Sequence, residues 1–239
     1  MIPQIALDSL NIIDFMILAV LAVSVLFGMH RGFISGVLSL AALIGSAALA
    51  FLVSGDLAAW LKGNQTLVDT LLYYTDAGSR IANPDLSLMP VSQLSESALY
   101  QVLQSADLPD AFQSAFLSAI NTAGGSTTIA QLLSETIVGV SISILSFLIC
   151  FFIVYCIATF LIHMIQYVFE LPVLRHLDAL IGGAFGLLRG VLLLFILFAL
   201  VPIVLAVAPV PQISELLNGS QLAPAFDSRI ILSILRGSV

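Results

Sequence analysis

The fold is decided by residues 12–53, which read IIDFMILAVLAVSVLFGMHRGFISGVLSLAALIGSAALAFLV. One continuous helix of that length would measure about 60 Å, twice the roughly 30 Å of hydrocarbon in a bilayer. The apolar run is interrupted by the pentad Gly28-Met-His-Arg-Gly32. We therefore predict two spans, from 12 to about 27 and from 33 to about 53, joined in a tight hairpin that turns near Arg31.

The composition of the whole chain indicates the same environment. Of the 239 residues, 60% are hydrophobic and 9% are charged, which does not fit a soluble domain. The chain carries 7 Lys+Arg against 14 Asp+Glu, and this acidic balance excludes a basic surface for nucleic acid. We therefore expect the lipid bilayer to be a partner of the chain and expect no nucleic acid.

Two further apolar stretches follow, one from about 137 to 169 and one from 177 to 207. The second contains Arg189, and an arginine near a helix centre costs about 2.5 to 3.5 kcal/mol on insertion scales. Its side chain is therefore expected to face protein or water. Two alternatives stay open for this stretch: a re-entrant segment 177–188 followed by a span from Gly190, or one long tilted helix, which we favour.

The sequence thus predicts an all-α, polytopic membrane protein with about four transmembrane helices in two hairpin-like halves. Four regions are expected: 1–54, the first transmembrane hairpin; 55–135, a mostly helical extracytoplasmic insert; 136–209, the second transmembrane pair; and 210–239, an amphipathic carboxyl-terminal tail. Arg31 and Arg175 lie in the two short connections, which are expected to be cytoplasmic because basic residues favour that side. The amino terminus, the insert and the tail are then extracytoplasmic.

The insert carries two amphipathic helix patterns. Residues 95–105 and 110–122 each place their apolar side chains on a single stripe. We expect these stripes to pack on each other or on the bilayer surface. A surface that binds a partner protein is the alternative.

The most informative feature is a repeated G-x-x-R-G pentad, at residues 28–32 and 186–190. Each copy belongs to a row of small residues at four-residue spacing, which permits close approach of a neighbouring helix. The helix-packing positions predicted on this basis are Gly28, Gly32, Gly182, Gly186 and Gly190. If this spacing drives association between chains, the protein is a homo-oligomer.

Each pentad also has an upstream carboxylate in apolar surroundings, Asp14 before the first and Asp178 before the second. Under the topology above, we expect Asp178 to approach Arg31 at one membrane face and Arg189 to reach Asp14 near the other. Such groups either fix helix register or take part in a permeation path. Structural pairing is the interpretation that we favour.

Motifs that carry catalytic chemistry are absent from the sequence. It contains no Walker loop, no H-E-x-x-H and no G-x-S-x-G. The three histidines are dispersed, and Cys150 and Cys156 lie six residues apart in one apolar run, where they suggest no disulfide. We therefore expect no enzymatic activity, no metal and no cofactor, and we assign no catalytic residue.

In combination, several short segments resemble the CvpA family, the colicin V production proteins of bacterial inner membranes. The segments that carry the resemblance are Ile13-Asp14, Arg31-Gly32-Phe33, Leu38-Ser39-Leu40, Asp178-Ala-Leu-Ile-Gly182, Phe185-Gly186-Leu-Leu-Arg189-Gly190 and Ser220-Gln-Leu222-Ala-Pro224. The insert is expected to fall outside it. The resemblance implies a multi-pass protein of the bacterial cytoplasmic (inner) membrane, associated with colicin V production, a toxin biosynthetic process, and with envelope homeostasis. It implies no catalytic residues.

Three functions of different classes compete. An accessory or scaffold protein that organises partners, including an unidentified membrane or envelope protein, is favoured because the spans contain few polar groups. The alternative is an oligomeric channel or transporter subunit with Arg189 and Asp14 near a polar path. An intramembrane enzyme is disfavoured, since no nucleophile with a positioned base is evident.

Overall fold

The computed structural model describes residues 10–75, 80–106, 108–124, 126–168, 175–207 and 211–226. Over these ranges the chain is helical and has no β-strand, which confirms the predicted all-α class. The helices are α1 (Ile12–Gly63), α2 (Gln65–Thr75), α3 (Pro84–Leu88), α4 (Glu96–Ala106), α5 (Asp110–Thr122), α6 (Ile129–Val168), α7 (Arg175–Phe198), α8 (Val201–Val207) and α9 (Pro211–Asn218). Two 3₁₀ turns, Val91–Gln93 and Ala223–Phe226, complete the described part.

Three helical segments in the described ranges are long and apolar enough to cross a membrane. They are Ile12–Gly63, Ile129–Met164 and Ala179–Ile203, which contain 18-residue stretches with mean hydropathies of 2.5, 2.8 and 2.6. The first is 52 residues long, about 78 Å at helical rise. Whether the chain crosses three or four times therefore depends on the path of α1.

The helix α1 is broken at Gly32, where φ is 79° and ψ is −179°, a conformation that favours glycine. Gly28 and Gly36, on either side, approach the same residue. A Cβ on Gly28 would overlap the carbonyl oxygen of Gly182, and a Cβ on Gly36 would lie 3.7 Å from that oxygen. Eight residues of continuous helix would separate the two positions by about 12 Å. The chain therefore bends sharply at Gly32, next to Arg31, where the sequence predicts a turn.

The chain forms two compact units. Among the described residues, unit 1 joins those within 10–54, 147–199 and 211–226, and unit 2 joins those within 55–146 and 200–207. The segments that compose each unit are distant in sequence, so each unit is assembled by contacts between helices rather than by one continuous stretch of chain.

In unit 2, the apolar faces of α4 and α5 share one core with the first turns of α6. Val102, Phe112, Phe116, Ile129 and Ile137 are all 0% exposed in this cluster. The two amphipathic helices predicted from the sequence are therefore present, and their stripes pack inside the chain. Of the two expectations for these stripes, packing is the one that the structure bears out.

The helix α6 begins at Ile129, earlier than the predicted start near residue 137. Its first turn is capped by Thr128, whose Oγ1 accepts a hydrogen bond of 3.3 Å from the backbone N–H of Gln131. The helix α7 is continuous through Arg189, as the single-helix alternative predicts. It ends at Phe198 rather than continuing to Val207, which belongs to α8.

Candidate functional site in unit 1

Asp14 lies in the first turn of α1 and is 0% exposed, the one charged side chain that is buried among the described residues. Its carboxylate accepts hydrogen bonds from Ser220 Oγ at 2.5 Å, Asn11 N at 2.9 Å, Leu222 N at 2.9 Å and Gln221 N at 3.3 Å. A carboxylate offers about four acceptor positions. These four donors therefore fill its hydrogen-bonding capacity.

One of these bonds is local and three are remote. The bond from Asn11 N joins residues three apart at the start of α1, which is half of a capping box and satisfies a donor at the helix end. The negative charge also lies at the positive end of the helix dipole. The donors of Ser220, Gln221 and Leu222 come from 206 to 208 residues away. One side chain thus both starts α1 and fastens the tail.

Two further hydrogen bonds hold the tail at this place. Asn11 Nδ2 donates to the carbonyl oxygen of Leu216 at 2.8 Å, and Ser220 Oγ accepts from Ala223 N at 2.9 Å. Ser220 is therefore both a donor to Asp14 and an acceptor inside its own loop. We call Asn11, Asp14, Ser220 and Leu222 the tail clasp.

An apolar cluster lies next to the tail clasp. Ile17, Leu194 and Phe226 are buried together. The ring of Phe226 lies 5.4 Å from the ring of Phe195 and 5.7 Å from the ring of Phe198, within the range of favourable aromatic pairs. Because its surroundings are apolar, loss of the Asp14 acceptor would leave several donors without an alternative partner.

The expected approach of Arg189 to Asp14 is not what the structure contains. The Arg189 guanidinium carbon lies 5.9 Å from the centre of the Tyr155 ring, and the Asp14 carboxylate is occupied by the tail. Arg189 Nε and Tyr155 Oη are both buried and have no hydrogen-bond partner among the described residues. The physical reason for the difference is that the Ser220 hydroxyl and three backbone N–H groups together take the acceptor positions of Asp14, and the sequence does not distinguish backbone N–H groups.

Arg31 and Asp178 were expected to approach each other. Arg31 is exposed, and its guanidinium carbon lies 5.9 Å from the centre of the Phe27 ring. Asp178 belongs to α7, but its side chain lies outside the described residues. The expected pair of Arg31 and Asp178 therefore stays a prediction.

The two rows of small residues pack against each other. A Cβ on Gly28 would overlap the carbonyl oxygen of Gly182 and lie 2.8 Å from Gly186 Cα. A Cβ on Gly186 would overlap the carbonyl oxygen of Ser24, and one on Gly190 would lie 2.9 Å from Ser24 Cβ. At these positions the backbones of α1 and α7 are in contact, and a side chain larger than hydrogen would separate the helices.

Gly32 takes part in the same contact from the broken point of α1. A Cβ on Gly182 would lie 2.8 Å from the carbonyl carbon of Gly32 and 3.0 Å from its Cα. All five predicted packing glycines therefore lie at the contact between α1 and α7, which we call the glycine contact. Because these rows are occupied within the chain, they give no argument for association between chains.

The fold and this site define a helical membrane protein in which the first long helix is tied to both α7 and the tail. The family model described as colicin V production protein matches residues 13–79 and 112–230. The chain belongs to this family. A search of curated proteins and a search of solved structures found no match.

The matched segments extend further into the insert than the resemblance implies. The expectation that residues 55–135 fall outside is wrong, because the unmatched internal stretch is 80–111. The matched segments contain Asp14, Arg31, Asp178, Arg189 and the whole tail clasp except Asn11. Sequence reasoning missed Asn11 and Tyr155, and it treated Ser220 as part of a family segment without assigning a contact.

Proposed function

We propose that this protein is an accessory or scaffold protein of the bacterial cytoplasmic membrane that acts in colicin V production and in envelope homeostasis. The observation that carries this proposal is the tail clasp. The buried carboxylate of Asp14 binds the chain's own tail through Ser220, Gln221 and Leu222. In a carrier, a buried carboxylate of this kind would bind the solute. In this chain, the Asp14 carboxylate binds the tail and so holds the fold together.

The packing of α1 against α7 supports the same function. Intramembrane ionisable groups of pumps and carriers line a cavity or a path through the protein. In this chain, the glycine contact brings the backbones of two long apolar helices together and leaves no space for a solute between them at Gly28, Gly182 and Gly186. A protein that holds its helices in this way serves as a rigid surface for partners.

The tail clasp also supports the proposed topology. Asn11 precedes α1 and contacts Leu216 in the tail, which favours placing the amino end of α1 and the tail at one membrane face. We propose four crossings, with the bend at Gly32 and the connection before α7 in the cytoplasm. The amino terminus, residues 55–135 and the tail are then extracytoplasmic, where an envelope protein could bind.

The second candidate is a subunit of an oligomeric channel or transporter. Arg189 Nε and Tyr155 Oη favour it, because buried donors without partners in the described residues are available to a permeating anion or to water. Asp14 argues against it, because its acceptor positions are filled and it offers no site to a permeating cation.

Complementation combined with flux separates the two candidates. The chain is expressed in a colicin V-producing strain that lacks its own family member, and the purified protein is tested in vesicles for chloride and potassium flux. An accessory protein restores colicin V production and gives no flux above that of empty vesicles. Flux that disappears in Arg189→Met would establish the channel and overturn the proposal.

A matched pair of variants ties the test to the tail clasp. Asp14→Ala is expected to lose complementation because it releases the tail, whereas Glu215→Ala removes an exposed carboxylate from the same region and is expected to retain it. Equal complementation by both variants would show that the tail clasp does not matter for function.

A further inference from the structure

Two buried donors on neighbouring helices have no hydrogen-bond partner in the described part of the chain. Arg189 on α7 and Tyr155 on α6 are 5.9 Å apart, from guanidinium carbon to ring centre, so the arginine lies against the aromatic ring. Arg189 Nε and Tyr155 Oη are buried and form no hydrogen bond with any described residue. A buried polar group without a partner costs about 1 to 3 kcal/mol, and more if it is charged. Arg189 as a whole is half-buried, so an added group can reach it.

Under the proposed topology, the contact between α7 and α1 places Arg189 near the middle of the membrane. Gly190, next to Arg189, is packed on Leu21 and Ser24, with Leu21 Cδ2 3.3 Å from its added Cβ. Leu21 is about 14 Å from Ile12 and about 17 Å from Gly32 at the helical rise of 1.5 Å per residue. An arginine side chain is too short to reach a lipid phosphate across either distance. A hydrogen-bond acceptor for Arg189 must therefore lie at the same depth in the membrane as Arg189.

A second copy of this chain cannot supply a carboxylate at that depth. The sequence contains no Asp or Glu between residues 15 and 53, 136 and 169, or 179 and 207. Asp14 lies in the first turn of α1, and donors from the tail fill its acceptor positions. A carboxylate at that depth would therefore have to come from another protein.

We propose that Arg189 and Tyr155 form a docking position for a transmembrane helix of another protein that carries an Asp or Glu near its centre. The guanidinium would pair with the carboxylate and the Tyr155 hydroxyl would donate a second hydrogen bond to it, so that both buried donors are satisfied. This inference rests on the proposed accessory function and names the chemistry of the partner.

The test uses the full-length protein in phosphatidylcholine vesicles with a fluorescent, leucine-rich transmembrane peptide. Three peptides are compared: one with Asp at its centre, one with Leu at its centre and one with Asp one turn from its end. Binding of each peptide is measured by energy transfer to the labelled protein. The central-Asp peptide is expected to bind at least about tenfold more tightly than the other two, because a charged hydrogen bond is worth 1.5 to 3 kcal/mol and 1.4 kcal/mol is a factor of ten.

Variants assign this preference to the docking position. Arg189→Met is expected to abolish it and Tyr155→Phe to reduce it several-fold. Lys62→Met, which removes an exposed cation outside the site, is expected to leave it unchanged. Because Arg189→Met could disturb folding, Arg189→Glu is tested with a central-Lys peptide, where a restored preference supports the proposal and its absence contradicts it.

Three results would overturn the inference. The first is equal binding of the Asp and Leu peptides, and the second is a preference that persists in Arg189→Met. The third is a preference that vanishes when anionic phosphatidylglycerol replaces zwitterionic phosphatidylcholine, which would identify an anionic lipid headgroup as the ligand. If no preference is found while complementation succeeds without flux, the inference fails and the proposed accessory function stands. Flux through the vesicles would overturn the function itself.

Discussion

Asp14 has two structural duties that are usually divided between residues. It accepts the backbone N–H of Asn11 at the start of α1, and it accepts three donors from the tail. A carboxylate buried beside apolar residues is stable when each oxygen is hydrogen-bonded and destabilising when it is not. At the scale of single residues, the attachment of the tail to α1 therefore depends mainly on the hydrogen bonds of this one side chain.

Replacing Asp14 by Ala is expected to lower the free energy of unfolding by about 3 kcal/mol, because one buried and three part-buried donors lose their acceptor. Glu215→Ala, at an exposed carboxylate of the tail region, is expected to change it by less than about 0.5 kcal/mol. Reversible unfolding in mixed detergent micelles measures both. Similar values for the two variants would mean that the Asp14 bonds contribute little.

The importance of Asp14 could be predicted from the sequence, but its partner could not. An acidic residue in an apolar run stands out in any sequence. Two of its three tail donors are backbone N–H groups of Gln221 and Leu222, and every non-proline residue carries such a donor. Opposite charge was the visible cue, and it pointed to Arg189.

The packing of α1 against α7 depends on rows of small residues. At the glycine contact, Ser24 and Gly28 of α1 meet Gly182, Gly186 and Gly190 of α7. In lipid, no hydrophobic effect drives two apolar helices together, so close backbone contact supplies the attraction through dispersion. The contact of the two repeated pentads explains why both contain glycines at the same spacing.

A matched pair of glycine variants tests this element. Gly186→Ala is expected to destabilise the protein by about 1 to 3 kcal/mol, because its Cβ would overlap the Ser24 carbonyl oxygen. Gly45→Ala has no atom within 4 Å of its added Cβ and is expected to be neutral or to stabilise α1 by up to about 1 kcal/mol. Thermal unfolding in detergent compares them. Equal loss of stability would show that the cost comes from the glycine change itself and not from the contact.

The four-residue spacing of the glycines predicts that another helix packs closely against them. It does not predict which helix packs against each row of small residues. Spacing shows that one face of a helix lacks side chains, but it does not distinguish a neighbour in the same chain from one in another. The register in which Gly28 lies between Gly182 and Gly186 follows from the bend at Gly32, which lets α1 approach α7 on both sides of the break.

At the scale of the whole molecule, the three apolar helical segments and the break in α1 support the four crossings proposed above. Composition and length predict a membrane protein, and the family match agrees with that. The number of crossings depends on Gly32, because it divides the 52 residues of α1 into two segments, 12–31 and 33–63, each at least as long as one crossing requires.

Impermeant thiol labelling in spheroplasts tests the proposed topology. With Cys150 and Cys156 replaced by Ala, single cysteines are placed at Tyr100, Asn218 and His30, which are exposed. Tyr100→Cys and Asn218→Cys are expected to react from outside, and His30→Cys only after permeabilisation. Reaction of His30→Cys and Asn218→Cys from the same side would exclude the four-crossing topology.

The central claim is that Asp14 fastens the tail to the start of α1, and the rate of thiol labelling at Ala223 tests it most directly. Ala223 is 7% exposed and its N–H donates to Ser220 Oγ; Asn218→Cys, at an exposed position, is the control. In the cysteine-free background, Ala223→Cys is expected to react slowly with Asp14 present and at least about tenfold faster with Asp14→Ala, as expected for a loss of more than 1.4 kcal/mol, while Asn218→Cys reacts equally fast in both. An unchanged, slow rate at Ala223→Cys after Asp14→Ala would contradict the account.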